Sequence, residues 1–381
     1  MSAKVCIITT VHPLFDTRIF HKEAKTLVRA GYEVILIAQH ERNEVVDGVK
    51  IIALPRLRNR FVRILGLTWQ AFRLALRERA DIYHFHDPEL IPVGILLKFF
   101  TKSKVIYDVH EDYPLHMLSK QWLPPPLRRI ASWLMRQLEK IGTRWFDATI
   151  TPTNAITERF QRLKARKVLT LHNFPLFENK MNVTQKIVLS PRYDLIHVGT
   201  LSPSRLSFMF SVAQELKNMG YDCKWCILGA SLEIIKWAEK ELKHHYLNLY
   251  DNFVFVRWVP YAEVKQYLLQ SRIGVNHHPL ESRFLVAIPA KFFEYMACGL
   301  PIVSSDLPLL RELIGNEDCA ILVKPGDVQE FAKAIKFLLD NPAVAKEMGI
   351  KGAELIKTKY NWQKESEKLL ELYQELLEGA G

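Results

Sequence analysis

Residues 288–306 read IPAKFFEYMACGLPIVSSD, and the order of patterns inside this stretch decides the fold. Pro289 suits the first turn of a helix. Apolar residues follow at helical spacing until Gly299-Leu300-Pro301, which cannot continue a helix. PIVSSD is then a short β-branched run, the pattern of a strand buried on both faces of a parallel sheet. A helix that turns at once into such a strand is half of a βαβ unit.

Working outward, the same alternation recurs. DLIHVG (194–199), CKWCILG (223–229), NFVFVRW (252–258), IGVNHH (273–278) and CAILVKPGD (319–327) read as strands. LSFMFSVAQELKNMG (206–220) and YAEVKQYLLQS (261–271) read as helices between them. The first half has its own series. KVCIITT (4–10), EVILIAQ (33–39), VKIIAL (49–54), ADIYHFH (80–86), KVIYDVH (104–110) and DATITPT (147–153) are predicted strands. TRIFHKEAKTLVRAG (17–31), residues 61–79 and residues 126–143 are predicted helices. The pattern weakens over 171–190 and then restarts. The expectation is an α/β protein of two tandem doubly wound, Rossmann-like domains facing a cleft. Residues 1–172 form the first and residues 173–360 the second. A charged amphipathic helix over 361–381 either stays with the second domain or packs back on the first. In such sheets ligands bind beyond the carboxyl ends of the strands.

The 381 residues exceed one ordinary core, and 49% hydrophobic composition is globular. No apolar run approaches the ~18–20 residues of a membrane span. MSAKVCIITT enters a strand pattern directly, without the look of a signal peptide. Five cysteines without a framework fit a reducing cytosol. Cys223 and Cys226 form a single CKWC inside a strand-like run, which favours a structural role over metal binding. Charge is divided unevenly: residues 1–172 hold 28 Lys+Arg against 16 Asp+Glu, and the remainder 24 against 25. The basic half and the neutral half therefore face different partners. Nothing in the pattern points to nucleic acid.

Lys291 and Glu294 lie three apart and share a helix face. A cation in a first helical turn opposes the helix dipole unless an anion sits there. A carboxylate one turn deeper can accept two hydroxyls, as a ribose presents. The pair suits a nucleoside diphosphate; the plainer alternative is a surface salt pair.

PAKFFEYMACGLPIVSSD resembles the nucleotide-sugar-binding motif of family-4 glycosyltransferases, which have the GT-B fold. HVGTLSPSR (197–205) is similar to that family's phosphate-binding loop, and ILGA (227–230) to its later strand-to-glycine turn. IYHFHDPE (82–89) and VIYDVHEDYP (105–114) resemble the histidine-bearing strand ends of its first domain. The resemblance implies retaining transfer of a sugar from a nucleotide diphosphate sugar, most commonly UDP-linked. The acceptor, bound to the first domain (1–172) with the nucleotide sugar on the second (173–360), would be a glycan or lipid-diphosphate-linked molecule of cell-surface polysaccharide synthesis. It implies that Arg205 and Lys291 hold the diphosphate beside Gly199, Thr200 and Gly229, that Glu294 holds the ribose, and that His110 faces the transferred sugar. The catalytic residues would then be His110, Arg205 and Lys291.

The chain departs from the family at three points. Val286 stands where a sugar-contacting glutamate is common, and Glu281 lies too far upstream to match. Thr200 follows Gly199 where an arginine is common, and HPLFDTR (12–18) lacks the usual paired glycines. No Asp-x-Asp occurs, so no metal or other cofactor is expected, and Arg205 with Lys291 would take the metal's place. His84 and His86 in HFHDPE offer two metal ligands without an evident third. No pair of carboxylates is placed for double displacement, so a front-side reaction fits, the leaving phosphate taking the acceptor's proton. Two alternatives remain: a non-catalytic nucleotide-sugar-binding module, and a nucleotide-sugar epimerase on the same architecture.

Residues 56–79 hold seven Arg and one Glu, and residues 120–144 six cations and one Glu. Phe61, Leu65, Trp69, Phe72 and Leu76 recur at helical spacing in the first, as do Trp122, Leu127, Ile130, Leu134, Leu138 and Ile141 in the second. Such faces mark interfacial helices on anionic lipid, or else helices packed on the sheet. The expected location is cytoplasmic, peripheral on the inner membrane face.

Overall fold

A computed structural model describes residues 2–57, 66–120, 123–176, 191–199 and 201–379. The chain divides into two compact units, residues 1–173 with 362–381, and residues 174–361.

In the first unit the strands are Lys4–Ile8 (β1), Glu33–Gln39 (β2), Glu44–Val46 (β3), Val49–Leu54 (β4), Ile82–Phe85 (β5), Lys104–Asp108 (β6), Ala148–Thr151 (β7) and Val168–Thr170 (β8). They form one sheet in the order β3-β4-β2-β1-β5-β6-β7-β8. Every pairing is parallel except β3 with β4. The order reverses at β1, so β1 and its neighbour β5 flank the topological switch point where ligands bind in such sheets. Cys6, Ile8, Ile35, Ile37, Tyr83, Phe85, Val105 and Tyr107 line one core of this unit, which explains the near-continuous apolar runs.

The first helix begins after Asp16, whose carboxylate accepts from the Arg18 and Ile19 backbone N–H groups at 2.8 and 3.0 Å. It is wound as a π-helix over Thr17–Ala24 and continues as an α-helix over Lys25–Arg29. Arg18, Lys22 and Glu23 are buried in it. Three buried charges on one π-helical stretch are a functional signal, since π geometry recurs at sites.

The tail helix, Trp362–Glu378, belongs to the first unit. Trp362, Leu369, Leu372 and Tyr373 are buried, and the Trp362 Nε1 donates to Thr26 Oγ1 at 3.0 Å. Glu365 accepts from the His172 backbone N–H at 2.8 Å.

In the second unit the strands are Tyr193–Val198 (β9), Trp225–Leu228 (β10), Phe253–Val256 (β11), Ser271–Asn276 (β12), Ile302–Ser305 (β13) and Ile321–Val323 (β14). Their order is β11-β10-β9-β12-β13-β14, all parallel. The reversal falls at β9, between the helix of Pro203–Asn218 that follows β9 and the helix of Ala290–Ala297 that follows β12. Gly299 takes φ 62° and ends the Ala290–Ala297 helix. Phe292, Phe293, Tyr295 and Met296 are buried against the sheet. All five cysteines are free and buried, Cys223 just ahead of β10 and Cys226 within it.

Candidate functional site

Each unit gathers polar side chains at the carboxyl ends of its central strands. In the second unit β9 runs into Gly199, whose φ of 106° only glycine adopts readily. A Cβ there would stand 3.7 Å from Lys291 Nζ. Gly229, with φ 96°, ends the adjacent β10, and a Cβ on it would lie 3.4 Å from Gly199 Cα. The two glycines thus bring two backbone turns together beside the lysine.

Pro289 caps the Ala290–Ala297 helix and puts Lys291 in its first turn. Arg205 is in the first turn of the Pro203–Asn218 helix and is only 7% exposed. Both cations reach one histidine that composition did not single out: Lys291 Nζ is 3.1 Å and Arg205 Nη2 3.5 Å from His197 Nε2. His197 Nδ1 donates to the Val275 carbonyl at 2.9 Å, so Nε2 is left as the acceptor. Arg205 Nη2 also donates to the His277 carbonyl at 2.6 Å. His277 and His278 are buried at the end of β12, where Ser305 Oγ accepts from the His278 backbone N–H at 3.0 Å.

The electrostatics of this group favour an anion. Burial and the Arg205 charge hold the Lys291 ammonium well below its ordinary range. Burial brings Arg205 down to about 10. Burial, with Lys291 and Arg205, pushes His197 and His278 well below the imidazole range. Burial and Arg205 bring His277 down to about 3. Neutral histidines packed beside two strained cations are a socket that a phosphate would relieve. Tyr295 fixes the socket from beneath: its hydroxyl accepts from the Val198 N–H at 2.9 Å, and its ring lies where a Cβ on Gly274 would come within 2.6 Å. Glu294 is one helical turn beyond Lys291 and half-buried. Thr200 lies outside the described residues. Glu281 accepts from Arg283 Nε at 2.9 Å.

The first unit carries His110 just past β6, half-buried, with its ring 4.4 Å from that of His12. Behind it lies a group not expected from the sequence. Arg18 donates to Asp108 at 2.9 and 3.0 Å from Nη2, and to Glu23 at 2.9 Å from Nε. His86 Nδ1 is 3.0 Å from His110 Nε2, and His84 Nδ1 is 2.7 Å from the Tyr373 hydroxyl of the tail helix. His84 and His86 do meet further potential metal ligands: their nitrogens and the carboxylates of Glu23 and Asp108 lie within 4.8 Å of one another. Both carboxylates already bind the Arg18 guanidinium as their cation. The signal available beforehand was three histidines at two adjacent strand ends, His84, His86 and His110; Arg18 and Glu23 looked like an ordinary polar helix face.

Residues 17–174 match the model described as Glycosyltransferase Family 4, and residues 192–341 the model Glycosyl transferases group 1. The matches take in most of each unit, and the chain belongs to this group of glycosyltransferases. It is similar to the glycogen synthase of Mycobacterium tuberculosis, 21% identical over 90% of this chain and 86% of that protein. Among solved structures it resembles sucrose-phosphate synthase from Thermosynechococcus elongatus at a TM-score of 0.76, with 17% identity and 99% and 100% of the two chains covered. It also resembles Anabaena HepE in complex with UDP and glucose at a TM-score of 0.69, with 13% identity and 98% and 99% covered. The fold is therefore GT-B.

Proposed function

We propose that this glycosyltransferase moves a sugar, with retention, from a UDP-linked donor to a glycan or lipid-diphosphate-linked acceptor of cell-surface polysaccharide synthesis. The observation that carries the reading is the convergence of Arg205 and Lys291 on His197 beside the Gly199 and Gly229 turns. A diphosphate seated there would take the place of the neutral histidine as partner for both cations. As the glycosidic bond breaks, negative charge grows on the leaving phosphate, and the two cations stabilise it without a metal. Glu294 holds the ribose hydroxyls, and His110 of the first unit faces the sugar. The leaving phosphate oxygen takes the proton of the attacking hydroxyl. The UDP preference leans on the nucleotide bound to Anabaena HepE.

An anion at this socket raises the depressed Lys291 ammonium toward its ordinary range. Binding therefore takes up protons at any pH above the depressed value and below the restored one. Calorimetry with UDP, GDP and ADP in buffers of different ionisation enthalpy tests this. The observed heat should change with the buffer in the sense of proton uptake; heat independent of buffer, or no binding of any of the three, goes against the socket.

The acceptor class rests on the helix of Pro125–Gly142. No helix among the described residues is long and apolar enough to cross a membrane. This one, however, exposes Leu127 (48%), Ile130 (53%), Trp133 (59%), Leu134 (54%) and Ile141 (54%). Arg129, Arg136 and Lys140 are exposed with them, while its one acid, Glu139, is buried against Arg159 at 2.6 Å. Leu138 is the exception, turned toward the core, and Trp122 lies outside the described residues. In the other basic segment, of the three stripe residues described, Phe72 is buried, Leu76 joins the core and Trp69 is exposed; Phe61 and Leu65 lie outside the described residues. We assign the Pro125–Gly142 face to anionic lipid on the cytoplasmic side, each nearby cation contributing about 1 kcal/mol. The protein should sediment with phosphatidylglycerol vesicles at low salt and be released by added salt. Trp133→Ser with Ile130→Ser should weaken that binding. A wild-type protein that stays in the supernatant makes a water-soluble acceptor the better assignment.

A further inference from the structure

Glu23 Oε2 and His86 Nε2 approach each other at 3.5 Å, both residues fully buried, and each atom is otherwise without a hydrogen-bond partner closer than this. One of the two must carry the proton between them, and charge counting decides which. The pocket holds two carboxylates, Glu23 and Asp108, and one guanidinium, Arg18. Asp108 takes Arg18 bonds on both of its oxygens, while Glu23 takes one, on Oε1. Burial and the neighbouring His84 hold His86 well below the imidazole range, so its ring is neutral, and two ionised carboxylates against the one buried guanidinium would leave an uncompensated charge, which is costly. Asp108 is therefore the anion and Glu23 the acid. Burial and the Asp108 charge raise Glu23 well above its ordinary range; Arg18 holds Asp108 well below its own, against the effect of burial.

The consequence runs outward through the rings. Glu23 accepts from Arg18 on Oε1, so its proton is on Oε2; with both oxygens of the neighbouring Asp108 taken by Arg18, that proton points at His86 Nε2. His86 then carries its own proton on Nδ1, which also lies 3.7 Å from Asp108 Oδ2. That proton is donated to His110 Nε2 at 3.0 Å. His110 is left with its proton on Nδ1. On the opposite flank the Tyr373 hydroxyl donates to His84 Nδ1, and His84 turns Nε2–H toward Asp108 at 3.5 Å, which steadies the anion.

We propose that Glu23 and His86 are positioning residues that hold His110 in its Nδ1–H form, so that the ring offers its ligand a donor and not an acceptor. The proposal rests on the reading that His110 faces the sugar. The tautomer itself can be measured without donor or acceptor.

The test is proton–nitrogen correlation NMR of the full chain with labelled histidine, the His110 signals being assigned by their loss in His110→Gln. His110 Nδ1 is expected to be protonated in the wild type. Glu23→Gln should keep it so, because the amide oxygen accepts from Arg18 and the amide N–H replaces the carboxyl proton. His86→Ala and Glu23→Ala should move the proton to Nε2 and lower kcat roughly tenfold, with nucleotide affinity unchanged. Glu23→Gln should restore the turnover that Glu23→Ala loses. A wild-type His110 protonated on Nε2, or a changed tautomer in Glu23→Gln, overturns the proposal even if Glu23→Ala does not fold. A flipped tautomer with kcat unmoved overturns the role in turnover and leaves glycosyl transfer standing. If even the wild type transfers nothing, the functional reading fails and the tautomer measurement is unaffected.

Discussion

Lys291→Ala and Arg205→Ala each lower kcat/KM by roughly 10²–10³-fold, the scale of one lost charge-assisted contact to a developing anion. Lys291 reaches the socket from the tip of one helix and Arg205 from the tip of another, and both meet His197 Nε2. Neither side chain belongs to the hydrophobic core, whose residues around them are Ile196, Val198, Phe292 and Tyr295. Thermal unfolding should therefore shift little. Lys291→Arg should restore only part of the rate that Lys291→Ala loses, because a longer, forked cation does not reproduce the compact ammonium beside the Gly199 turn. Near wild-type kcat/KM in either alanine variant, with the fold intact, would mean that the diphosphate lies elsewhere.

Glu294→Ala should weaken binding of the nucleotide about 10–100-fold, through the loss of hydrogen bonds from two ribose hydroxyls to one carboxylate. The loss should appear in the Kd of the free nucleoside diphosphate. It should nearly vanish for pyrophosphate, which has no ribose. This difference separates a ribose contact from a general loosening of the helix, because a loosened helix would also misplace Lys291 and weaken pyrophosphate. An unchanged nucleotide Kd removes the ribose role.

Buried parallel strands were easy to read. EVILIAQ and VKIIAL coincide with β2 and β4 because both faces of each strand are covered and the apolar run ends where the strand ends. Strand ends near the site were read too long. His86, His110, His277 and His278 look like continuations of apolar runs, but they follow the last paired residues; His86 and His110 bind each other, and His277 and His278 bind Ser305 and Asn276 at the ends of β13 and β12. β3 was missed: three residues on an antiparallel edge carry no period. The helices of Tyr113–Leu118, Asn154–Arg162 and Leu232–His245, and the strand β8, also lay outside the expected pattern.

The two halves of the candidate site differed more. Lys291, Glu294 and Gly199 were legible because a helix tip and a glycine turn leave a local pattern. His197 leaves no such pattern, since a histidine in an apolar strand shows nothing of the two cations that meet it. Arg18 and Glu23 were invisible for a different reason. Helical periodicity cannot tell a solvated charge from one whose partner, Asp108, is 90 residues away. The tail helix was ambiguous in the same way: its apolar stripe was plain, but nothing in the stripe named the Thr26 and His84 side chains it meets.

The most direct measurement is release of free nucleoside diphosphate by the purified protein from UDP-, GDP- and ADP-sugars, with and without a lipid-diphosphate-linked acceptor presented in anionic vesicles. The account predicts release from a UDP-sugar that depends on the acceptor, with the product keeping the anomeric configuration of the donor. Absence of release from every donor, or conversion of the sugar nucleotide without any acceptor, would contradict it.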